Sequence, residues 1–275
     1  MATAAGQAAS SVILANPAFR RTGEIVLSFA GFLLLWEVAV RLFDFPQYIL
    51  PAPSLIWKGL VGRFGSLVTA AGYTAQPMLW GYAAAVVFGV IIALGVAFVR
   101  VIEIAVYPLL VFLQIVPKIA VAPLFIIWFG FGLIPKVLLV FLLSFFPVVV
   151  SSIQAFRSVD ADIMDLARST GASAWRIFLK VQLPHALPTL FTGFKVAAAL
   201  SSTAAVVAEF VASDRGLGYL LLEYNGNLET ALSFAAILVL SVLGLALYAV
   251  VELVERIAIP WHVSQRAGAT GFGNP

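Results

Sequence analysis

The sequence contains no cysteine. That excludes a disulfide, a thiolate metal site and a cysteine nucleophile. Histidine is almost missing as well, with only His185 and His262 in 275 residues, which argues against a histidine-based metal centre. Charge is scarce: 11% of residues are charged, where a soluble domain carries about a quarter. A glycine-rich phosphate loop of the GxxxxGK[ST] type does not occur, so any nucleotide chemistry belongs elsewhere. Met1 to Asn16 has no basic stretch ahead of an apolar core, so the first apolar block is expected to stay as a membrane span.

What fills the chain instead is apolar, at 62% hydrophobic residues. The hydrophobic runs are continuous and about 20 residues long, the length of helix that crosses about 30 Å of hydrocarbon. Continuous runs argue against an alternating transmembrane barrel. The fold class expected is therefore an all-α polytopic membrane protein with six transmembrane helices.

The first span runs from Ile25 to about Phe43 and contains Glu37, placed near an interface beside Arg41 at i+4 or in a polar cavity. Pro46, Pro51 and Pro53 then break the helix. Ser54 suits an N-cap for a short amphipathic helix over Leu55 to Leu67. The second span covers about Ala75 to Val99, with Gly81, Ala85 and Gly89 offering faces for close packing. The third begins near Ile104 and is broken by Pro108, Pro117 and Pro123, with Gln114 and Lys118 at the break. Broken helix in hydrocarbon is tolerated only when buried in protein or lining a cavity. The fourth span is about Val137 to Ser151, the fifth about Leu187 to Phe210, and the sixth about Ala231 to Leu253. Ser213 to Asn227 reads as a polar loop, and Ala267 to Pro275 as a mobile tail.

Six spans put both termini on one side. That side holds Arg20, Arg21, Arg100, Arg157, Arg168, Arg176, Lys180, Arg256 and Arg266, against Arg41, Lys58, Arg63, Lys136 and Arg215 opposite. The excess assigns the termini to the cytoplasm. With them goes the longest polar stretch, Ser152 to Lys180. Asp160 or Ser158 can cap a first short helix there, and Gly171 suits the left-handed position that ends it. Ser173 can cap a second helix carrying Trp175 and Phe178 on one face. That apolar face either docks in a partner's groove or packs on the protein's own spans.

Asp165, Leu166, Ala167, Gly171, Trp175, Leu183 and Pro184 lie in a passage that resembles the EAA loop of ABC importer permeases. Its pattern is E-A-A, three residues, G, nine residues, I-x-L-P; here Asp165-Leu166-Ala167, Gly171, and Val181, Leu183, Pro184 stand at matching spacing. Two further stretches, PKIAVAPLFIIWFGFG and AEFVASDRGLGYL, resemble the nitrate/sulfonate/taurine branch. The resemblance implies a type I ABC importer (MetI-like) transmembrane fold. Residues 1–23 would be a cytoplasmic N-terminal segment, 24–262 the permease domain with a coupling loop at 158–184, and 263–275 a flexible tail. It implies a bacterial inner-membrane subunit that lines the substrate pathway and is not itself an enzyme. Its partners would be a dimer of cytoplasmic ATPases, which bind ATP and magnesium, a second permease copy in a homodimer, an extracytoplasmic solute-binding protein and membrane lipid. No nucleic acid and no cofactor in this chain are expected. The implied substrate is a small organic or inorganic anion such as a sulfonate, taurine or nitrate; a pyrimidine or riboflavin precursor or an aromatic acid is the alternative.

Candidate pathway residues are Gln114, Lys118, Lys195, Ser201, Ser202 and Glu209. All but Gln114 also have a plain structural reading. Lys118 and Lys195 can snorkel. The serines, with Thr203, can bond to their own helix. Glu209 can be a hydrated interfacial acid. A secondary transporter or channel would predict paired intramembrane acids or inverted repeats. An intramembrane enzyme would need a nucleophile and base, and His185 has no evident partner for that role.

Overall fold

The computed structural model describes residues 17–263, and among these it is helical, with no strand. Of the expected N-terminal segment 1–23, residues 1–16 lie outside the described residues and 17–23 belong to the first helix; of the expected tail 263–275, all but Val263 lie outside them. Helix α1 covers Pro17–Leu42, α2 Pro53–Gly62, α3 Phe64–Phe98 and α4 Arg100–Ile115. A 3-10 turn, Lys118–Val121, leads into α5, Ala122–Phe129. Then come α6 Leu133–Phe156, α7 Ala161–Ser169, α8 Ala174–Ile177 and a π segment, Phe178–Gln182. The chain continues as α9 Leu183–Ala212, α10 Leu217–Gly226 and α11 Thr230–Ala258. Among the described residues five helices are long and apolar enough to cross a membrane, and α4 with Lys118–Phe129 passes the same test as a pair bent by 88°, a broken span or a re-entrant loop. Counted as one span, that pair brings the total to the six expected, with the break at Pro117; Pro108, also expected to break it, lies inside α4.

The chain divides into two compact units, one of residues up to Phe64 with Tyr224–Ala235, the other of Gly65–Glu223 with the residues from Ala236 onward. In the first unit, α1 is exposed over most of Gly23–Leu42, as a lipid-facing helix is. Glu37 accepts from Arg41 Nε at 2.7 Å, the i+4 contact expected. The expected Ser54 cap is not formed. Ala52 takes the N-cap position without a side-chain bond and Pro53 opens α2, which ends at Gly62 rather than Leu67. Ser54 sits in the first turn, and its N–H and hydroxyl donate to the Glu37 carboxylate at 3.0 and 2.8 Å. An anion from another helix thus does the capping, where free N–H groups favour it.

In the second unit, α6 is the hub. Gly81 and Gly89 of α3 lie against Val140 and Val148 of α6, and Gly193 of α9 lies against Ser151. A Cβ on Gly81 would come within 2.6 Å of Val140 Cβ. Glycine therefore lets the spans approach more closely than any other residue allows, which matters where association rests on packing rather than on water exclusion. Around α6 a core of Ala85, Ala93, Phe145, Phe146, Val149 and Leu190 is closed. α3 begins at Phe64, eleven residues before the expected start, so Pro77 falls inside it.

Gly81→Ala should lower the thermal midpoint of the detergent-solubilised chain, by the equivalent of about 1–3 kcal/mol of overpacking. Gly72→Ala on the same helix, where a Cβ meets nothing within 4 Å, should leave the midpoint unchanged or raised.

Candidate functional site

The polar passage between α6 and α9 folds as the local chemistry dictates. Asp160 accepts from the Asp162 N–H at 2.9 Å and caps α7. α7 stops at Thr170, and Gly171 follows at φ +71°, where an L side chain is disfavoured. Its N–H donates to the Arg168 carbonyl at 3.1 Å. Ser173 precedes α8 at the N-cap position but makes no side-chain cap bond. Leu183 and Pro184 open α9, where the missing proline N–H is harmless.

The apolar face of this passage is divided. Ile177 is buried, and Phe178 stands edge-on to Phe98 at 5.5 Å and 6.2 Å from Phe156. Those two residues pack on the protein's own spans. Trp175 stacks on Phe178 at 5.6 Å yet is 68% exposed, and Leu166 is 69% exposed. Asp165 pairs with Arg168 at 3.2 Å on the open surface, and Ala167 lies between them in sequence at intermediate exposure. Nearby, Arg157 joins Glu103 at 3.0 Å and donates to the Val96 carbonyl at 3.0 Å. The end of α6 is thereby tied to the turn between α3 and α4.

The candidate pathway residues do not converge on one place. Lys118 donates to the Gln114 carbonyl at 2.8 Å and lies 4.5 Å over the Phe146 ring. Gln114, Lys118, Ser151 and Leu200 share one cavity. Ser201 is buried and donates to the Ala198 carbonyl at 2.7 Å; Ser202 donates to Ala199 at 2.9 Å. Both bond to their own helix. Ser202 and Thr203 also border a shallow groove beside Gly244 and Tyr248 of α11.

Lys195 forms an ion pair with Glu255 of α11 at 2.7 Å, with side chains 18% and 6% exposed. The expectation of a lysine snorkelling or facing a cavity missed this partner, because the sixth span was ended at about Leu253, short of Glu255.

Glu209 is fully buried, not a hydrated interfacial acid. It faces the start of α10, the helix found where a polar loop was expected. The Gly218 N–H donates to Glu209 Oε2 at 2.7 Å. The Leu217 N–H donates to Thr74 Oγ1 at 2.8 Å, and the Thr74 hydroxyl reaches Glu209 Oε2 at 3.1 Å. One carboxylate thus satisfies the first turn of α10 directly and through Thr74. Gly216, at φ +109°, and Gly218 are glycine because a Cβ on either would run into the Glu209 side chain. Sequence reasoning missed Thr74, Gly216, Gly218 and Lys136. The available signal was RGLGYL, two glycines at a helix start that follow an acid at the end of a span.

Lys136, counted above only as an outer-side charge, is buried at the start of α6 and donates to Ser213 Oγ at 2.8 Å. Ser213 also bonds the Arg215 carbonyl. The Arg215 guanidinium holds Asp214 at 3.1 Å, which keeps the Asp214 carboxyl below its ordinary range. It also lies 5.2 Å from the centre of the Tyr73 ring.

A family described as "Binding-protein-dependent transport system inner membrane component" matches residues 85–258. The riboflavin transport system permease protein RibX of Chloroflexus aurantiacus is 37% identical over 84% of this chain and 87% of its own length. The putative aliphatic sulfonates transport permease protein SsuC of Bacillus subtilis is 32% identical over 86% of each. A chain from the inward-facing MetNI methionine ABC transporter superposes with a TM-score of 0.58 at 18% identity, covering 71% of this chain and 97% of that one. That likeness establishes the MetI-like helical fold expected from the sequence.

Removing one partner of the Lys195–Glu255 pair leaves a charge buried, whereas removing both does not. Lys195→Met and Glu255→Met should therefore each lower the thermal midpoint, and the double variant should recover most of the loss. Glu209→Ala should speed hydrogen exchange at the Leu217 and Gly218 amides roughly tenfold or more, since a lost buried hydrogen bond costs about 1–3 kcal/mol.

Proposed function

The chain belongs to the family of binding-protein-dependent transport inner membrane components, the permease subunits of ABC importers, and from that premise we propose how it works. The loop at 158–184 is the surface through which cytoplasmic ATPases drive it. The observation that carries this is Trp175: a large aromatic, 68% exposed, stacked on Phe178, which is itself packed on Phe98 of α3 and Phe156 of α6. An exposed aromatic anchor backed by an aromatic cluster suits the helix-in-groove mode of docking. Leu166 and Ile163 on α7 extend the exposed apolar surface.

In this reading the ATPases bind ATP and magnesium and this chain hydrolyses nothing. Two copies of the permease line the pathway, with Gln114, Lys118, Lys195, Ser201, Ser202 and Glu209 as the candidate pathway positions, and an external binding protein delivers the solute. Both termini face the cytoplasm in this reading, which the excess of arginine and lysine on that side supports. Closure of the ATPases displaces α7 and α8, and through them α9, between two rigid-body arrangements.

The substrate is a small organic anion such as a sulfonate or taurine, supported by the likeness to the aliphatic sulfonates permease. A second reading, a flavin or pyrimidine-type compound, is favoured by the higher identity to the riboflavin permease.

Co-purification with the cognate ATPase tests the coupling. Trp175→Ala should weaken association roughly thirtyfold, the threshold of an aromatic hot spot, and scrambling Asp165–Phe178 should abolish it. Association that survives the scrambled loop would show that the coupling surface lies elsewhere. Uptake of labelled taurine by the assembled transporter, competed by sulfonates but not by riboflavin, supports the anion reading; the opposite competition pattern selects the flavin.

A further inference from the structure

Lys136 carries the observation that the proposed transport cycle does not use. Its side chain is more than nine-tenths buried, at 7% exposure. An ammonium has three N–H donors, and Ser213 Oγ takes one of them at 2.8 Å. No carboxylate lies within 4 Å of it among the described residues; Asp214 and Glu209 reach it only through space. A buried charge with one neutral partner is costly unless something further compensates it.

Lys136 lines a cavity of about 580 Å³ between the start of α6 and the loop after α9. Tyr73 and Gln76 of α3, Leu133 of α6, and Ser213, Asp214 and Arg215 of the loop after α9 also line it. Asp214 is engaged by Arg215, so the cavity's acid is already paired while its lysine is not. The first turn of α6 opens on the same space. Its N-cap residue is Gly132, which has no side chain to cap with, and Pro135 contributes no N–H. The free amides there carry the positive end of a 24-residue helix. A buried cation and an uncapped helix start therefore face one cavity, and the cavity's volume falls in the range of small-molecule sites.

We propose that this cavity is an anion site of the permease itself, in which the Lys136 ammonium and the amides opening α6 bind the sulfonate or carboxylate head of a small solute. Gln76 supplies a neutral hydrogen-bond donor, and Tyr73 an aromatic wall. This deepens the anion reading above and rests on it for the solute's identity, but the site stands or falls by binding alone.

The test is calorimetric titration of the full-length permease in lipid nanodiscs, without ATPase or binding protein. The probes are methanesulfonate, inorganic sulfate and the neutral dimethyl sulfone. Methanesulfonate should bind and the sulfone should not. Lys136→Gln should weaken binding at least tenfold, and Lys136→Arg should retain most of it. Gln76→Leu, at an exposed position, should weaken binding severalfold even if the Lys136 variants do not fold. Sulfate binding as tightly as methanesulfonate identifies an inorganic-anion site, which also supports the proposal. No binding of either anion, equal binding of the sulfone, or unchanged affinity in both Lys136→Gln and Gln76→Leu overturns it. Because no ATPase is present, failure here leaves the coupling loop untouched. Failure of the co-purification test leaves this site untouched in turn.

Discussion

Three glycines set how closely the spans approach α6. Gly81 and Gly89 bring α3 onto Val140 and Val148, and Gly193 brings α9 onto Ser151. Without water to exclude between helices, stability comes from contact area, and contact area comes from removing side chains at the crossing points. The rest of the second unit relies on that closeness. Tyr82 of α3 reaches the Phe194 carbonyl of α9 at 3.2 Å, and Ser144 of α6 reaches the Ala197 carbonyl at 3.3 Å. Thr74 of α3 meets Glu209 of α9 at 3.1 Å. None of these bonds would span a wider gap.

Close packing also explains where charge is allowed. Lys195 with Glu255 and Glu209 with Thr74 and Gly218 sit in the interior, each held by groups from a different helix. Glu37 in the first unit is used in the same way, as an anion for the first turn of α2. A carboxylate at a helix start satisfies N–H groups that hydrocarbon cannot. In both units an acid from one long helix fixes the start of a shorter one, α2 or α10.

The periodicity and punctuation of the sequence were enough to find the spans, the break at Pro117 and the hinge at Gly171, because these depend on local chemistry. Asp160 was legible as a cap for the same reason. Ser54 looked like an equally good cap, but Pro53 opens the helix one residue earlier and Glu37 supplies the anion from another helix. Helix α10 was read as a loop because its anchor, Glu209, lies before it in the preceding span and Thr74 lies over a hundred residues away. Lys195 and Glu255 could each be placed in a span, but their pairing depends on the relative rotation of α9 and α11, which hydropathy does not encode. Lys136 was counted as an outer-side charge because it stands near a span's end; its hydrogen bond to Ser213, in the loop 77 residues further on, is not written in the local sequence. Trp175 and Phe178 were assigned to one face, and packing then divided them, one covered and one open.

The run from Ala174 to Val211 is a single unbroken helical stretch of 38 residues. At about 1.5 Å per residue it is roughly 57 Å long, nearly twice the hydrocarbon thickness of about 30 Å. Trp175 is near one tip and Glu209 near the other. Over such a length a tilt of about 5° about the Trp175 end displaces the far tip by roughly 5 Å. That exceeds the tolerance of any hydrogen bond. A rigid tilt of α9 relative to α10 on that scale would part Glu209 from the Gly218 amide it accepts from, so the length of the helix turns a small rotation at one end into a bond-sized displacement at the other.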